Sequence, residues 1–186
     1  MSPTDSVRLF VALELPAPVR SDLWAWAREH AGSAERLRLV DPDSLHVTLC
    51  FLGNRPATEV DEIATTCRTA VSRLAAPHLE VAAAVWLPPR RPRVLTVKLT
   101  DEAGRLATIQ SALAHALAAG GFYTPETRPF LAHVTVARVR RDAHSPRIEP
   151  PAPKEPRFTS NRVTLFQSRL GHGPAHYEAL SSVGLG

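Results

Sequence analysis

The chain of 186 residues has the length of one domain or of two small lobes that fold together, which excludes a third domain. Apolar residues make up 44% and charged residues 22%, so wholesale disorder is excluded and a sizeable core is expected. No apolar run reaches the roughly 18 residues of a membrane span, and two cysteines are too few for a disulfide scaffold. We therefore expect a cytoplasmic protein that does not bind membranes. Its net charge of +4 is compatible with an anionic partner.

The first third of the chain predicts a strand, a helix, a strand and a second helix. Apolar residues of both parities over 7–13 indicate a strand buried on both faces. Helical spacing predicts an amphipathic helix over 18–30, and a strand follows around 45–52. Thr58 and Asp61 resemble a capping box that starts the next helix, and the apolar stripe of this helix includes Cys67.

The same kinds of element recur in the middle of the chain. Alternating apolar residues predict strands over 79–85 and 94–99, separated by a stiff basic loop. A stripe from Leu106 to Leu117 predicts a third helix that ends at Gly120, and a strand is expected over 130–138. The layout of strand, helix and strand therefore occurs twice, which indicates two similar lobes.

The last part of the chain begins with a proline-rich segment over 144–156, which forbids a helix or a central strand and predicts a surface loop. Two final strands, over 163–170 and 175–183, flank a turn at 171–174. The whole pattern is that of an α+β protein with mainly antiparallel strands.

Two copies of one short pattern carry the chemistry. They read His46-Val47-Thr48-Leu49 and His133-Val134-Thr135-Val136. Side chains two apart on a strand share a face, so each strand offers one imidazole and one hydroxyl to a common surface. Two such copies arise by chance in fewer than about one in a hundred sequences of this composition.

Paired imidazoles and hydroxyls are suited to acid and base catalysis at a phosphate. A neutral imidazole can take a proton from a nucleophile, an imidazolium can give one to the leaving oxygen, and hydroxyls can donate to phosphate oxygens. Two alternatives remain at this point. The histidines can be ordinary strand residues, or they can bind zinc, although no third ligand stands at a suitable spacing.

Longer segments carry a resemblance to a known family. They are V-R-L-F-V-A-L-E-L-P, L-H-V-T-L-C-F-L-G-N, P-R-V-L-T-V, G-F-Y-T-P-E-T-R-P-F-L-A-H-V-T-V-A-R and V-T-L-F-Q-S-R-L. Over nearly its whole length, the chain resembles the bacterial and archaeal RNA 2′,3′-cyclic phosphodiesterases. These were formerly called 2′-5′ RNA ligases and belong to the 2H phosphoesterase superfamily.

This resemblance implies a fold and a reaction. The fold is a single bilobal catalytic domain over 1–186 with a pseudo-two-fold axis, in which two mainly antiparallel sheets flanked by helices surround a central cleft. The reaction opens a terminal 2′,3′-cyclic phosphate on RNA or a cyclic nucleotide to a 2′-phosphate, without metal or cofactor, and members can also form a 2′-5′ linkage. By motif position, His46 would be the acid and His133 the base, and Thr48 and Thr135 would hold the phosphate.

The resemblance also assigns Arg138 to the phosphate, but it lies five residues after His133, where regular alternation puts it on the opposite face. A bulge or a strand end near Ala137 must therefore redirect it. The parity of Phe51 predicts that it lies in the core, and Cys50 is expected to be a small buried residue. A further set of arginines is expected either to form a solvated surface or to follow an RNA backbone: Arg90, Arg91, Arg93, Arg128, Arg140 and Arg141.

Two other functions remain open at this stage. One is a 2H phosphodiesterase for a small cyclic phosphate such as ADP-ribose 1″,2″-cyclic phosphate. The other is an RNA-end-binding module whose histidines bind the phosphate without catalysis. In each case we expect a monomer.

Overall fold

The computed structural model describes residues 6–141, 143–144, 148–154, 157–169 and 176–186. Within these ranges the chain forms three α-helices and nine β-strands. The helices are α1 (Ala17–Ala31), α2 (Val60–Val71) and α3 (Arg105–Ala119). The strands are β1 (Ser6–Glu14), β2 (Leu37–Leu39), β3 (His46–Pro56), β4 (His78–Leu87), β5 (Val94–Thr100), β6 (His133–Val139), β7 (Phe158–Thr159), β8 (Arg162–Arg169) and β9 (His176–Gly184).

All strand pairs are antiparallel and follow the order β7-β4-β5-β6-β3-β1-β8-β9, with β2 added to β6. The two expected sheets are thus two halves of one hydrogen-bonded array. Their junction is narrow, because β3 and β6 share a single register pair, Val47 with Val134. The two strands that carry the repeated pattern therefore meet at the centre of the molecule.

The helices pack on one face of this array. The hydrophobic core unites Leu9, Val11 and Leu13 of β1 and Val47 of β3 with the buried stripes of all three helices. Helix α1 packs on β2 and β6, whereas α3 packs on β3 and α2 on β9. The residues of alternate parity on β1, such as Phe10, face the opposite side. The cleft therefore lies on the face of the sheet opposite the helices.

The predicted helices and longer strands are confirmed with small changes in their bounds. The short strands β2 and β7 were not predicted, because a segment of two or three residues is too short to show a periodic pattern. The predicted capping box is wrong. Residues 57–59 form a 3₁₀ turn, Glu59 is the N-cap of α2, and no side-chain capping bond is formed there. In the described part of the proline-rich segment, residues 144 and 148–154 contain neither helix nor strand.

Bulges shape the strands that carry the repeated pattern: the register shifts twice between β1 and β3, and once between β5 and β6. Between β1 and β3, Val11 pairs with Cys50 and Ala12 with Thr48, so Leu49 is the extra residue. Between β5 and β6, Leu95 pairs with Ala137 and Thr96 with Thr135, so the extra residue is Val136. A bulge places two consecutive side chains on the same face and reverses the parity of everything that follows.

The predicted turn at 171–174 lies outside the described residues. Across the ranges that are described, no helix is long and apolar enough to cross a membrane.

Candidate active site

The pairing of Val47 with Val134 determines the arrangement of the site. Both valines are fully buried in the core, so the residues on either side of each one project into the cleft. Antiparallel pairing then places His46 and Thr48 beside Thr135 and His133, related by a local two-fold axis. Both imidazoles and both hydroxyls line one cavity, as the repeated pattern predicts.

Each histidine is held by the same backbone contact. His46 donates from Nδ1 to the carbonyl of Ser44 at 2.7 Å, and His133 donates from Nδ1 to the carbonyl of Leu131, also at 2.7 Å. A carbonyl can only accept, so the proton of each neutral ring lies on Nδ1. The Nε2 atoms are therefore the ones available for proton transfer.

The surroundings of the two rings differ. His46 stacks on Phe10 with 4.9 Å between ring centroids and meets the edge of Tyr177 at 5.4 Å. When the ring of His46 is neutral, Thr48 Oγ1 donates a hydrogen bond to His46 Nε2 over 3.1 Å. Burial lowers the pKa of His46 to about 4, and the nearby positive charge of Arg138 acts in the same direction. His46 is therefore neutral at pH 7 in the free protein.

Arg138 also lines the cavity, and the bulge explains how. Because Val136 and Ala137 are both buried, the parity of β6 reverses and Arg138 comes to the cleft face. The predicted redirection is thus confirmed, and it occurs one residue before Ala137. All five side chains predicted for the site therefore meet around one cavity.

The cavity is small, with a volume of about 30 Å³, and three further residues line it: Val40, Ser44 and Tyr177. Sequence reasoning missed Tyr177. It lies near the start of β9, where it pairs with Ser168 of β8, and it belongs to no motif. Only the strand pairing brings it next to His46.

The structure decides two predictions about neighbouring residues and leaves a third untested. The expectation that Phe51 lies in the core is wrong: the bulge at Leu49 turns it to the cleft face, where 44% of its surface is exposed. Cys50 is fully buried in the core, and burial raises the pKa of its thiol to about 12. Arg93 donates hydrogen bonds to the carbonyls of Ala143 and Arg141, and the path of an RNA backbone along the arginine set stays a prediction.

The described residues contain no group of three or more His, Cys, Asp or Glu side chains placed to hold a metal ion. They do provide two Nε2 atoms for proton transfer, two hydroxyls and a guanidinium around one small cavity. This arrangement can bind an anion such as a phosphate and exchange protons with it from two sides.

Comparison with known proteins gives consistent results. The model of the 2′-5′ RNA ligase superfamily matches residues 19–172. The RNA 2′,3′-cyclic phosphodiesterase of Escherichia coli (strain K12) is 28% identical over 176 residues, which is 93% of each chain. The protein of the same name from Archaeoglobus fulgidus is 28% identical over 135 residues, covering 73% of this chain and 74% of the relative.

Solved structures show the same fold. The structure of TT0787 from Thermus thermophilus matches with a TM-score of 0.84 and 25% identity, over 96% of this chain and 97% of that one. Escherichia coli LigT complexed with 3′-AMP matches with a TM-score of 0.83 and 27% identity, over 97% and 99% of the two chains. The fold is thus the bilobal α+β fold with a central cleft that the family resemblance implies.

Proposed function

Because the chain belongs to the 2′-5′ RNA ligase superfamily, and is thus a 2H phosphoesterase, we propose that it hydrolyses terminal 2′,3′-cyclic phosphates of RNA to 2′-phosphates. The substrate class follows from the names of its relatives, RNA 2′,3′-cyclic phosphodiesterases. The observation that carries the proposal is the pair of motifs that face each other across one cavity, with each histidine held through Nδ1.

The opening of a cyclic phosphate needs two proton transfers. Water attacks phosphorus, the bond to the 3′ oxygen breaks, and the 2′ oxygen keeps the phosphate. In an in-line displacement, the attacking and leaving oxygens lie on opposite sides of phosphorus. Following the family pattern, His133 takes the proton from water through Nε2, and His46 gives a proton to the departing 3′ oxygen. Two imidazoles related by a local two-fold axis are suited to this geometry.

The non-bridging oxygens need stabilisation throughout. Thr48 and Thr135 can donate their hydroxyl protons to these oxygens, and the guanidinium of Arg138 can form two parallel hydrogen bonds to them. All three side chains line the cavity. In this proposal they hold the phosphate and the two histidines move the protons.

To act as the acid, His46 must first be protonated, because its lowered pKa leaves the ring neutral at pH 7 before substrate binds. A bound phosphate anion favours the protonated ring. We therefore expect His46 to take up a proton as the substrate binds. The same proton then goes to the 3′ oxygen.

The test is to identify the product from 2′,3′-cyclic AMP by chromatography against 2′-AMP and 3′-AMP standards. We expect 2′-AMP, and formation of 3′-AMP would show that the 2′ oxygen leaves instead and would contradict the proposed reaction. Binding without any product would show an RNA-end-binding module. In parallel, higher kcat/KM for ADP-ribose 1″,2″-cyclic phosphate would contradict RNA as the substrate class.

A further inference from the structure

Four arginines stand on the cleft face of the strand pair β2–β6, at the end of the cleft where Arg138 lines the cavity. Arg38 is the register partner of Arg138. Further from the cavity, the backbone N–H of Arg140 donates to the carbonyl of Arg36 at 2.9 Å, which continues the antiparallel pairing. Paired residues share a face, and so do residues two apart on a strand. The four side chains therefore form two successive rungs, which we call the arginine ladder: Arg38 with Arg138, and Arg36 with Arg140.

The arginine ladder concentrates positive charge on an exposed surface. All four side chains are exposed to solvent. Among the described residues, Arg36, Arg138 and Arg140 form no ion pair with a carboxylate. Arg140 donates from Nε to the carbonyl of Glu35 at 2.8 Å, which fixes its side chain and leaves its charge in place. Exposed guanidinium groups in a row are suited to bind anions such as phosphates through paired hydrogen bonds.

The arginine ladder begins at the end of the cavity from which an RNA chain would continue. In the proposed reaction the 3′ oxygen departs toward His46. The ribose carbon that bears this oxygen is bonded to the carbon that carries the 5′ methylene, so the next phosphodiester lies on the His46 side. The pairing of Val47 with Val134 puts His46 beside Thr135, and Arg138 follows Thr135 on β6.

The two rungs are also spaced like consecutive phosphates. Arg138 and Arg140 lie two residues apart, or about 7 Å at a strand rise of about 3.3 Å per residue, and adjacent phosphates of an extended single strand have a similar separation. A positively charged surface that follows the backbone is the usual means of binding single-stranded nucleic acid.

We propose that the arginine ladder binds the phosphodiester backbone of an RNA chain on the 5′ side of its terminal cyclic phosphate. This inference rests on the proposed function and makes the preferred substrate an oligonucleotide end, where a small cyclic phosphate would leave the ladder unused. Of the arginines that the sequence indicated for an RNA path, only Arg140 belongs to the ladder. Arg36 and Arg38 were not in that set, because β2 was not predicted.

The experiment compares kcat/KM for 2′,3′-cyclic AMP and for a tetra-adenylate that ends in a 2′,3′-cyclic phosphate, from about 50 to about 200 mM KCl. The variant is the double substitution Arg36→Ala and Arg38→Ala, since neither residue lines the cavity. We expect it to lower kcat/KM for the oligonucleotide about 10-fold more than for 2′,3′-cyclic AMP. Each phosphate contact of a single strand adds about 0.7 to the slope of log affinity against log salt concentration, so the oligonucleotide slope should become shallower by about 1.4.

The double substitution Arg68→Ala and Arg73→Ala is the matched control. It removes the same charge from two exposed arginines at the end of α2, on the face of the sheet opposite the cleft. Its ratio of the two kcat/KM values should equal that of the wild type. The conservative variant, Arg36→Lys with Arg38→Lys, should keep most of the salt dependence, because that dependence counts charges at phosphates.

Four results would each overturn the inference: equal losses on both substrates, no loss on the oligonucleotide, an unchanged salt slope, or an equal loss in the control. If the wild type hydrolyses 2′,3′-cyclic AMP but shows no steeper salt dependence with the tetra-adenylate, the inference fails and the proposed reaction stands. If the wild type hydrolyses neither compound, the proposed function fails first and the inference falls with it.

Discussion

The two halves of the cleft share a sequence pattern and differ in what surrounds it. On β6, His133 is followed by a bulge and then by Arg138; on β3, His46 is followed by an equivalent bulge and then by Phe51. Both histidines donate to a backbone carbonyl, but His46 also packs against Phe10 and Tyr177, whereas no ring contact of His133 occurs among the described residues. Identical motifs thus give two histidines that are held alike but solvated differently.

This difference shows that two copies of one motif can have different surroundings within the same cleft. The backbone geometry is shared, because it depends on strand pairing and on a bulge at the third residue after each histidine. Charge and burial are not shared, because they depend on the side chains of neighbouring strands. Desolvation by burial is the main cause of the low pKa of His46. The strand pairing therefore gives the two histidines the same backbone setting, and the neighbouring strands give them different surroundings.

The largest expected effect comes from removing either imidazole. His46→Ala and His133→Ala should each lower kcat for 2′,3′-cyclic AMP by about 10²–10⁴-fold, because each role in proton transfer is worth about that much. The double variant should lose little more than the worse single variant, since the two residues act in one step. Circular dichroism checks that the fold is retained. Near wild-type turnover in either single variant would show that the two halves do not share one reaction.

The next effect concerns stability and isolates the contribution of the half-buried His46. Burial lowers the pKa of His46 from 6.5 to about 4, so between these values the unfolded chain binds a proton that the folded chain does not. The free energy of unfolding should therefore fall as the pH drops from 6.5 to 4, with His46 contributing up to about 3 kcal/mol.

Urea unfolding of the wild type and of His46→Gln over this pH range measures that contribution. The variant should lose less stability on acidification than the wild type, because glutamine does not titrate. Parallel pH dependence in the two proteins would mean that the imidazole of His46 is as well solvated in the folded chain as in the unfolded one.

A smaller effect is expected from the guanidinium. Arg138→Ala should lower kcat/KM about 10- to 100-fold, the range for a lost hydrogen bond to a charged group. Arg138→Lys should recover only part of this, since an ammonium cannot form the two parallel bonds. Arg93→Ala is the control, because the Arg93 side chain bonds backbone carbonyls. Equal losses at both positions would indicate a general effect of positive charge.

The smallest effect is expected at Tyr177, which meets His46 edge-on. Tyr177→Phe keeps the ring and should change kcat less than about threefold. Tyr177→Ala opens one side of the His46 site to water, so the pKa of His46 should rise from about 4 toward 6.5. The chemical shifts of the imidazole protons during an NMR titration measure this. An unchanged pKa would mean that Tyr177 does not shield His46 from water.

Much of the site could be predicted from the sequence because its placement depends on local periodicity. Alternation along two strands places His46, Thr48, His133 and Thr135, and the duplication indicates that they meet. Arg138 could be placed only by invoking a bulge. The same reasoning applied to Phe51 gives the wrong face, because nothing in its neighbourhood shows that Leu49 is an extra residue in the pairing with β1.

The remaining features depend on contacts between distant segments. Tyr177 approaches His46 only through the pairing of β9 with β8 and of β8 with β1. The low pKa of His46 arises from packing that alternation does not describe. Strands β2 and β7 are too short for a periodic signal, so only the partners to which they bond define them.

The most direct test of the account is kcat for 2′,3′-cyclic AMP measured from about pH 4 to pH 9 in excess chelator. Paired acid and base catalysis by His46 and His133 predicts a bell with two macroscopic pKa values, unaffected by the chelator. The residual activity of each single alanine variant should lack one limb of the bell. A rate that is flat across this range, or that disappears with the chelator, would contradict the assignment of the reaction to the two histidines.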